Sequence, residues 1–153
     1  EYILTGKIFS AHDVFKLKSV DETAISPDGK YAAFSVRVPR PISDGTGSAY
    51  EELYLYDFEN TSVSPLITGN VSVNNIDCTN DSKSISFTSK LGNEKSTQVY
   101  TISLDGEDTL KITSSETSIR KYQWHPLENK LAYITVEKKA ELNHDKLGFG
   151  IEV

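Results

Sequence analysis

Three stretches of this chain line up without a gap: Ile25-Ser-Pro-Asp-Gly-Lys-Tyr-Ala-Ala-Phe34, Cys78-Thr-Asn-Asp-Ser-Lys-Ser-Ile-Ser-Phe87 and Trp124-His-Pro-Leu-Glu-Asn-Lys-Leu-Ala-Tyr133. Each runs from an apolar residue through a short polar turn to an apolar residue and an aromatic two positions apart. Their starts at 25, 78 and 124 set repeats of 53 and then 46 residues. After each turn the chain alternates. Ala32, Phe34, Val36 and Val38 fall on one side and Ser35 and Arg37 on the other; Ile85 and Phe87 oppose Ser84, Ser86 and Thr88. A period of two predicts β-strands, whose successive side chains point to opposite faces. Asp28-Gly29 supplies the positive φ that a tight hairpin needs, and Asn80-Asp81-Ser82 serves the same purpose less well. Pro27 and Pro126 fix φ at the entry to their turns.

A second half follows each hairpin. Leu53-Tyr54-Leu55-Tyr56-Asp57 matches Val99-Tyr100-Thr101-Ile102-Ser103, and closing strands are expected at Leu66-Ile67-Thr68 and Lys111-Ile112-Thr113. Asp105-Gly106 turns the third strand of the second unit into its fourth. Four short strands in roughly 40–50 residues is the content of one propeller blade. The third strand is apolar on both faces, as in a sheet packed between two neighbours rather than one with a wet side. The fold predicted is all-β: a partial β-propeller of four-stranded antiparallel blades, about two and a half of them present, with a short N-terminal helix. Residues 1–21 form a lead-in, where Ser10 and Asp13 precede Val14, Phe15 and Leu17 like a capping box and predict a helix near 11–18. The first blade covers 22–68, with a Pro/Gly/Ser loop at 39–50, and the second covers 69–117. An incomplete third blade occupies 118–153, passing a charged stretch from Glu137 to Asp145 and starting a strand at Phe149.

At 153 residues the chain suits one ordinary domain, and 37% hydrophobic with 25% charged residues describes a soluble globular chain rather than a disordered one. No apolar run approaches the ~20 residues that span a bilayer. A net charge of −6 argues against a nucleic-acid binder, which needs clustered Lys and Arg to displace phosphate counterions; Lys16 and Lys18 are too few. The single cysteine, Cys78, forms neither an internal disulfide nor a thiolate metal site, and reads as a small buried hydrophobe. Glu1 to Thr5 do not form a signal peptide, which leaves the compartment open between cytoplasm, periplasm and secretion after removal of a targeting segment. Sequons at Asn60, Asn70 and Asn80 carry little weight in a chain rich in Ser and Thr.

Ser26-Pro27-Asp28-Gly29-Lys30 and Trp124-His125-Pro126, each followed by an apolar-x-aromatic strand, resemble the PD40 or TolB-like propeller repeat over about 22–136. Asp13-Val14-Phe15-Lys16-Leu17-Lys18-Ser19-Val20, running into Ala24-Ile25-Ser26-Pro27-Asp28-Gly29-Lys30, is similar to the opening of acylaminoacyl-peptidase and dipeptidyl-peptidase-like members of the prolyl oligopeptidase family of serine peptidases. The second and third units depart from the repeat, since neither has Asp-Gly at its first hairpin. The family resemblance implies a ring of about seven or eight blades over an α/β-hydrolase domain whose Ser, Asp and His do the chemistry. It implies two partners, the C-terminal hydrolase domain of the same protein and short peptide substrates. The TolB resemblance implies an alternative, a protein-binding module without chemistry. Either way an open array leaves blade edges free, so self-association is expected.

No catalytic, cofactor-binding or metal site is expected in the chain, and no cofactor. A nucleophile elbow needs G-x-S-x-G between strand and helix; Gly45-Thr46-Gly47-Ser48-Ala49 lacks that spacing and reads as flexible linker. His12, His125 and His144 share no metal-ligand spacing, and His125 takes the serine position of the turn motif. Glu51-Glu52 is similar to the paired glutamates with which some dipeptidyl peptidases hold a substrate amino terminus. Here the pair opens a strand after a loop, and reads as solvated or edge-guarding carboxylates. Trp124 reads as packing material. Ser103 and Asp105 do not complete a sialidase box, and the signatures of WD40 and kelch blades are missing.

Overall fold

The computed structural model describes residues 17–136. Strands β1 (Ser19–Ile25), β2 (Tyr31–Val38), β3 (Tyr50–Asp57) and β4 (Ser62–Ile67) form one antiparallel sheet in chain order. Strands β5 (Asn74–Cys78), β6 (Ser84–Ser89), β7 (Gln98–Ser103) and β8 (Thr109–Lys111) form a second in the same order, and β9 (Ile119–Trp124) pairs with β10 (Leu131–Thr135) in a third. Among the described residues the only helical element is a 3₁₀ turn at Ile42–Asp44. The expected all-β architecture of four-stranded propeller-like blades is therefore present. The helix predicted near 11–18 and the strand from Phe149 lie outside the described residues.

The hairpins share one device that glycine spacing alone does not reveal. Ser26 Oγ donates to Asp28 Oδ1 at 2.6 Å and Lys30 N donates to the same oxygen at 3.0 Å. Thr79 and Lys83 N treat Asp81 Oδ1 alike (2.7 and 3.0 Å), as Ser103 and Glu107 N treat Asp105 Oδ1 (2.5 and 3.0 Å). In each case the hydroxyl bond, then the backbone N–H, holds the carboxyl below the usual carboxylate range. The residue after each aspartate turns left-handed: Gly29 (φ 71), Ser82 (φ 56) and Gly106 (φ 80). Ser82 thus does without glycine what Gly29 does in the first unit. In the third unit a ring replaces the carboxylate, since His125 Nδ1 accepts from Leu127 N (3.2 Å) and Glu128 N (3.0 Å).

Cross-strand register assigns the faces. Ala33 pairs with Leu55, Ser35 with Leu53 and Arg37 with Glu51 on one side; Ala32 pairs with Tyr56 and Phe34 with Tyr54 on the other. The side with the smaller residues is the better buried. Ala33, Leu53 and Leu55 join Val73, Cys78, Ile85, Phe87, Tyr100 and Ile102 in one cluster, so the first and second blades stack face to face. The stacked rings of Phe87 and Tyr100, 5.8 Å apart, belong to this cluster with Ala33. Residues Gln98 to Ile102 of β7 are all buried, as a sheet covered on both sides requires. Across the other face of the second blade, Val99 packs with Ile119, Tyr122, Trp124 and Leu131. That joint is partly polar: Trp124 Nε1 donates to Ser86 Oγ (2.8 Å), and the Tyr122 hydroxyl bonds the same oxygen (2.7 Å) and donates to the Asn75 carbonyl (2.8 Å).

The closing strands differ from expectation. β4 begins at Ser62 and runs through Pro65, which an outer strand tolerates because its far side needs no donor. β8 stops at Lys111, and beyond it Thr113 Oγ1 accepts from Val99 N (3.0 Å), a side chain standing in for the ladder.

Candidate functional site

The sheet end where β2 meets β3, β4 meets β5 and β6 meets β7 carries Arg37, Arg40, Glu51 and Glu52. The loop between β2 and β3 has linker composition, yet it is built around one side chain. Arg40 Nε donates to the Ser48 carbonyl at 3.0 Å, and its guanidinium carbon lies 4.5 Å from the centre of the Tyr50 ring. The Tyr50 hydroxyl donates to Asp44 Oδ2 at 2.8 Å, which ties the 3₁₀ turn to the strand and raises the phenol's pKa. Gly47 closes the other side: a Cβ there would sit 2.8 Å from Cζ and Nε of Arg40. The guanidinium is held between an aromatic ring and a glycine backbone, which corrects the flexible-linker reading of 45–49.

The glutamate pair is likewise structural rather than solvated. Register places Arg37 directly opposite Glu51, and Arg37 Nε donates to Glu51 Oε1 at 2.8 Å while Nη2 reaches Asp21 Oδ2 at 2.9 Å. The bond to Glu51 is the main reason the Arg37 pKa rises. Glu51 is only 6% exposed. Its backbone accepts from Val73 N and donates to the Val71 carbonyl, both at 3.0 Å, stapling the connector between the blades to β3. Glu52 accepts instead from the Tyr54 hydroxyl (2.8 Å) and Gly69 N (3.0 Å). Adjacent residues of a strand point to opposite faces, so these two carboxylates do not converge on one amine.

Two adjoining cavities open at this end. One, of 310 Å³, is lined by Arg40, Tyr50, Asn70, Asn74, Lys90 and Thr97 among others. The other, of 460 Å³, is lined by Arg37, Ser48, Ala49, Glu51, Ser72 and Asn74. The residues singled out from sequence are not brought together there. His125 caps its own turn and Trp124 bonds Ser86. Cys78 is buried in the first inter-blade cluster, where burial pushes its thiol up to about 11. His12 and His144 lie outside the described residues. Among the described residues no group of three or more His, Cys, Asp or Glu could hold a metal, and no helix is long and apolar enough to cross a membrane.

The family model for the N-terminal region of dipeptidyl peptidase IV matches residues 40–140. The chain belongs to that family. Its fold is similar to an acylaminoacyl peptidase solved in complex with Z-Gly-Gly-Phe-chloromethyl ketone, with a TM-score of 0.66 at 13% identity over 85% of this chain and 19% of that one. It is also similar to a putative TolB from Agrobacterium tumefaciens (TM-score 0.59, 20% identity, 80% of this chain and 40% of that one). A TolB from Acinetobacter baumannii gives a TM-score of 0.55 at 19% identity, over 77% of this chain and 27% of that one. The chain thus spans 40% or less of each of these three structures. No curated protein sequence matches it. The feature at the site that the sequence did not reveal is the clamped Arg40. Composition hid it, because Gly, Ser and Thr also make linkers; the one hint was an arginine and a tyrosine bracketing a glycine-rich loop.

Proposed function

We propose that this chain is part of the non-catalytic propeller of a serine peptidase of the prolyl oligopeptidase type, limiting access of short peptides to a separate α/β-hydrolase domain. The family match over residues 40–140 supports this reading most directly. In such an arrangement stacked blades admit extended peptides and turn away folded chains, while nucleophile, base and oxyanion hole reside in the other domain. The test is hydrolysis of aminoacyl and acyl-aminoacyl chromogenic substrates by the full-length protein, beside a variant with its elbow serine changed to alanine. Activity lost in that variant, with short peptides cleaved and the same sequences spared inside a folded protein, is the expected result. Activity that survives the serine change, or none in the full-length protein, overturns the peptidase reading.

A second reading, a propeller that docks protein partners without chemistry, is favoured by the likeness in fold to the two TolB structures. Recovery of one stable partner by a full-length protein that hydrolyses no peptide substrate would select it.

A further inference from the structure

The 310 Å³ cavity between the first two blades is lined by two cations, Arg40 and Lys90, by Asn70, Asn74 and Thr97, and by no carboxylate. Two cations without a lining acid run against the grain of a chain with net charge −6. Arg40 is also pre-positioned. The Ser48 carbonyl takes its Nε, Tyr50 lies under its plane and Gly47 leaves room for it. Among the described residues no acidic side chain forms an ion pair with it. A guanidinium has five N–H donors in a rigid fork; one is used here, and the clamp has already removed the rotamer freedom that binding would otherwise cost.

We propose that this cleft is a carboxylate-binding subsite, with Arg40 engaging the oxygens of a free carboxylate on a peptidic ligand and Lys90 adding a point charge. The amides of Asn70 and Asn74 and the Thr97 hydroxyl supply further donors. A monoanion suits the site better than a phosphate dianion. Glu51 lines the adjoining cavity, which shares Ser48, Ala49, Ser72 and Asn74 with this one, so negative charge stands close by. The peptidic nature of the ligand rests on the proposed peptidase role; the carboxylate chemistry rests on the cleft alone.

Isotope-labelled full-length protein is titrated, at low ionic strength, with acetyl-trialanine bearing a free carboxylate, with its C-terminal amide, and with inorganic phosphate. The readouts are the Arg40 Nε–H signal and the backbone amides of Gly47, Lys90 and Thr97. The expected result is saturable shifts with the acid, binding at least about tenfold weaker for the amide, and weakening with added salt. Arg40→Ala abolishes the shifts. Arg40→Lys, which keeps the charge without the fork, weakens them, and Gly47→Ala does so too by displacing the guanidinium from its clamped position. Unchanged signals from Val99 and Ile102 certify that each variant is folded. Equal shifts with acid and amide, shifts that persist in folded Arg40→Ala, or no saturation with the acid overturn the subsite. Phosphate binding as tightly as the acid overturns the carboxylate assignment. Hydrolysis by the full-length protein judges the peptidase role separately, since it does not depend on this titration.

Discussion

Phe34 and Phe87 hold the same place in successive repeats, and truncating each to alanine tests the stacking of the blades. Each ring pairs with a tyrosine across its sheet, Phe34 with Tyr54 and Phe87 with Tyr100, both at 5.8 Å. Their surroundings differ. Phe87 is fully buried and shares a cluster with Ala33, Leu53 and Leu55 of the first blade. Phe34 is only partly buried and lies on the side of the first blade away from the second. Phe87→Ala leaves a cavity that the two sheets cannot close, at a cost of ~3–5 kcal/mol. Phe34→Ala opens onto solvent, so it loses mainly transfer free energy, ~1–2 kcal/mol. The gap is therefore about 2 kcal/mol, which at a urea m-value of roughly 2 kcal/mol/M separates the two midpoints by about 1 M. Urea unfolding of the chain and both variants, at low protein concentration and with equal m-values, measures it. Equal losses would refute the stacking, because they require Phe34 to be as well covered as Phe87.

Further outcomes follow from single side chains. Tyr122→Phe leaves Ser86 and the Asn75 carbonyl short of a partner inside the second joint, and costs ~1–3 kcal/mol in the same unfolding assay with an unchanged far-ultraviolet spectrum. Burial raises the Tyr122 pKa above its ordinary value, so its contribution to stability is complete below about pH 10 and is lost as the pH climbs towards the folded value; in Tyr122→Phe that alkaline decline is shallower. Asp81 has the opposite sign: its folded pKa is lowered, its contribution holds above about pH 4 and disappears as acid protonates it, and Asp81→Asn flattens the acid limb of the stability curve. With its thiol at about 11, Cys78 reacts with a disulfide reagent at pH 8 only at the rate of unfolding, and immediately in denaturant; fast native labelling contradicts its burial.

The sheet architecture was readable because hairpin chemistry and a period of two are local signals, and the repeats reinforced them. What was not readable is which face of a strand is covered. Hydrophobicity singles out Phe34 and Val36 of β2, yet Ala33 and Ser35 are the better buried, since Ala33 lies on the side of the sheet packed in the cluster shared with the second blade. The order of the loop at 39–50 was hidden for a related reason. Its order comes from an arginine lying between a ring and a glycine, and a composition rich in Gly and Ser is the same whether or not that clamp forms. The burial of Glu51 was not legible because its partner, Arg37, sits 14 positions away, and only the register of two strands makes them neighbours.

The departures from the repeat become intelligible once each blade is compared with the face it meets. Where the first blade presents Ala33, Ser35, Leu53 and Leu55, the second presents at the matching positions Ser86, Thr88, Val99 and Thr101. Hydroxyls buried between sheets must be satisfied, and the residues packed against them change accordingly. Cys78 faces the drier blade and donates no side-chain bond there; Trp124, its counterpart one unit on, gives its indole N–H to Ser86, and Tyr122 closes the same network. The large residue before each turn is thus chosen by the preceding blade. Replacing Ser86 by alanine should cost more than replacing Ser35, because its loss leaves the indole donor of Trp124 without its acceptor and takes one of two partners from the Tyr122 hydroxyl, which keeps only the Asn75 carbonyl. Ser35 accepts only from Glu22 N at 3.0 Å. Alanine at both positions, compared by urea unfolding, decides it: an equal or larger loss at Ser35 would mean that the inter-blade network carries no stability.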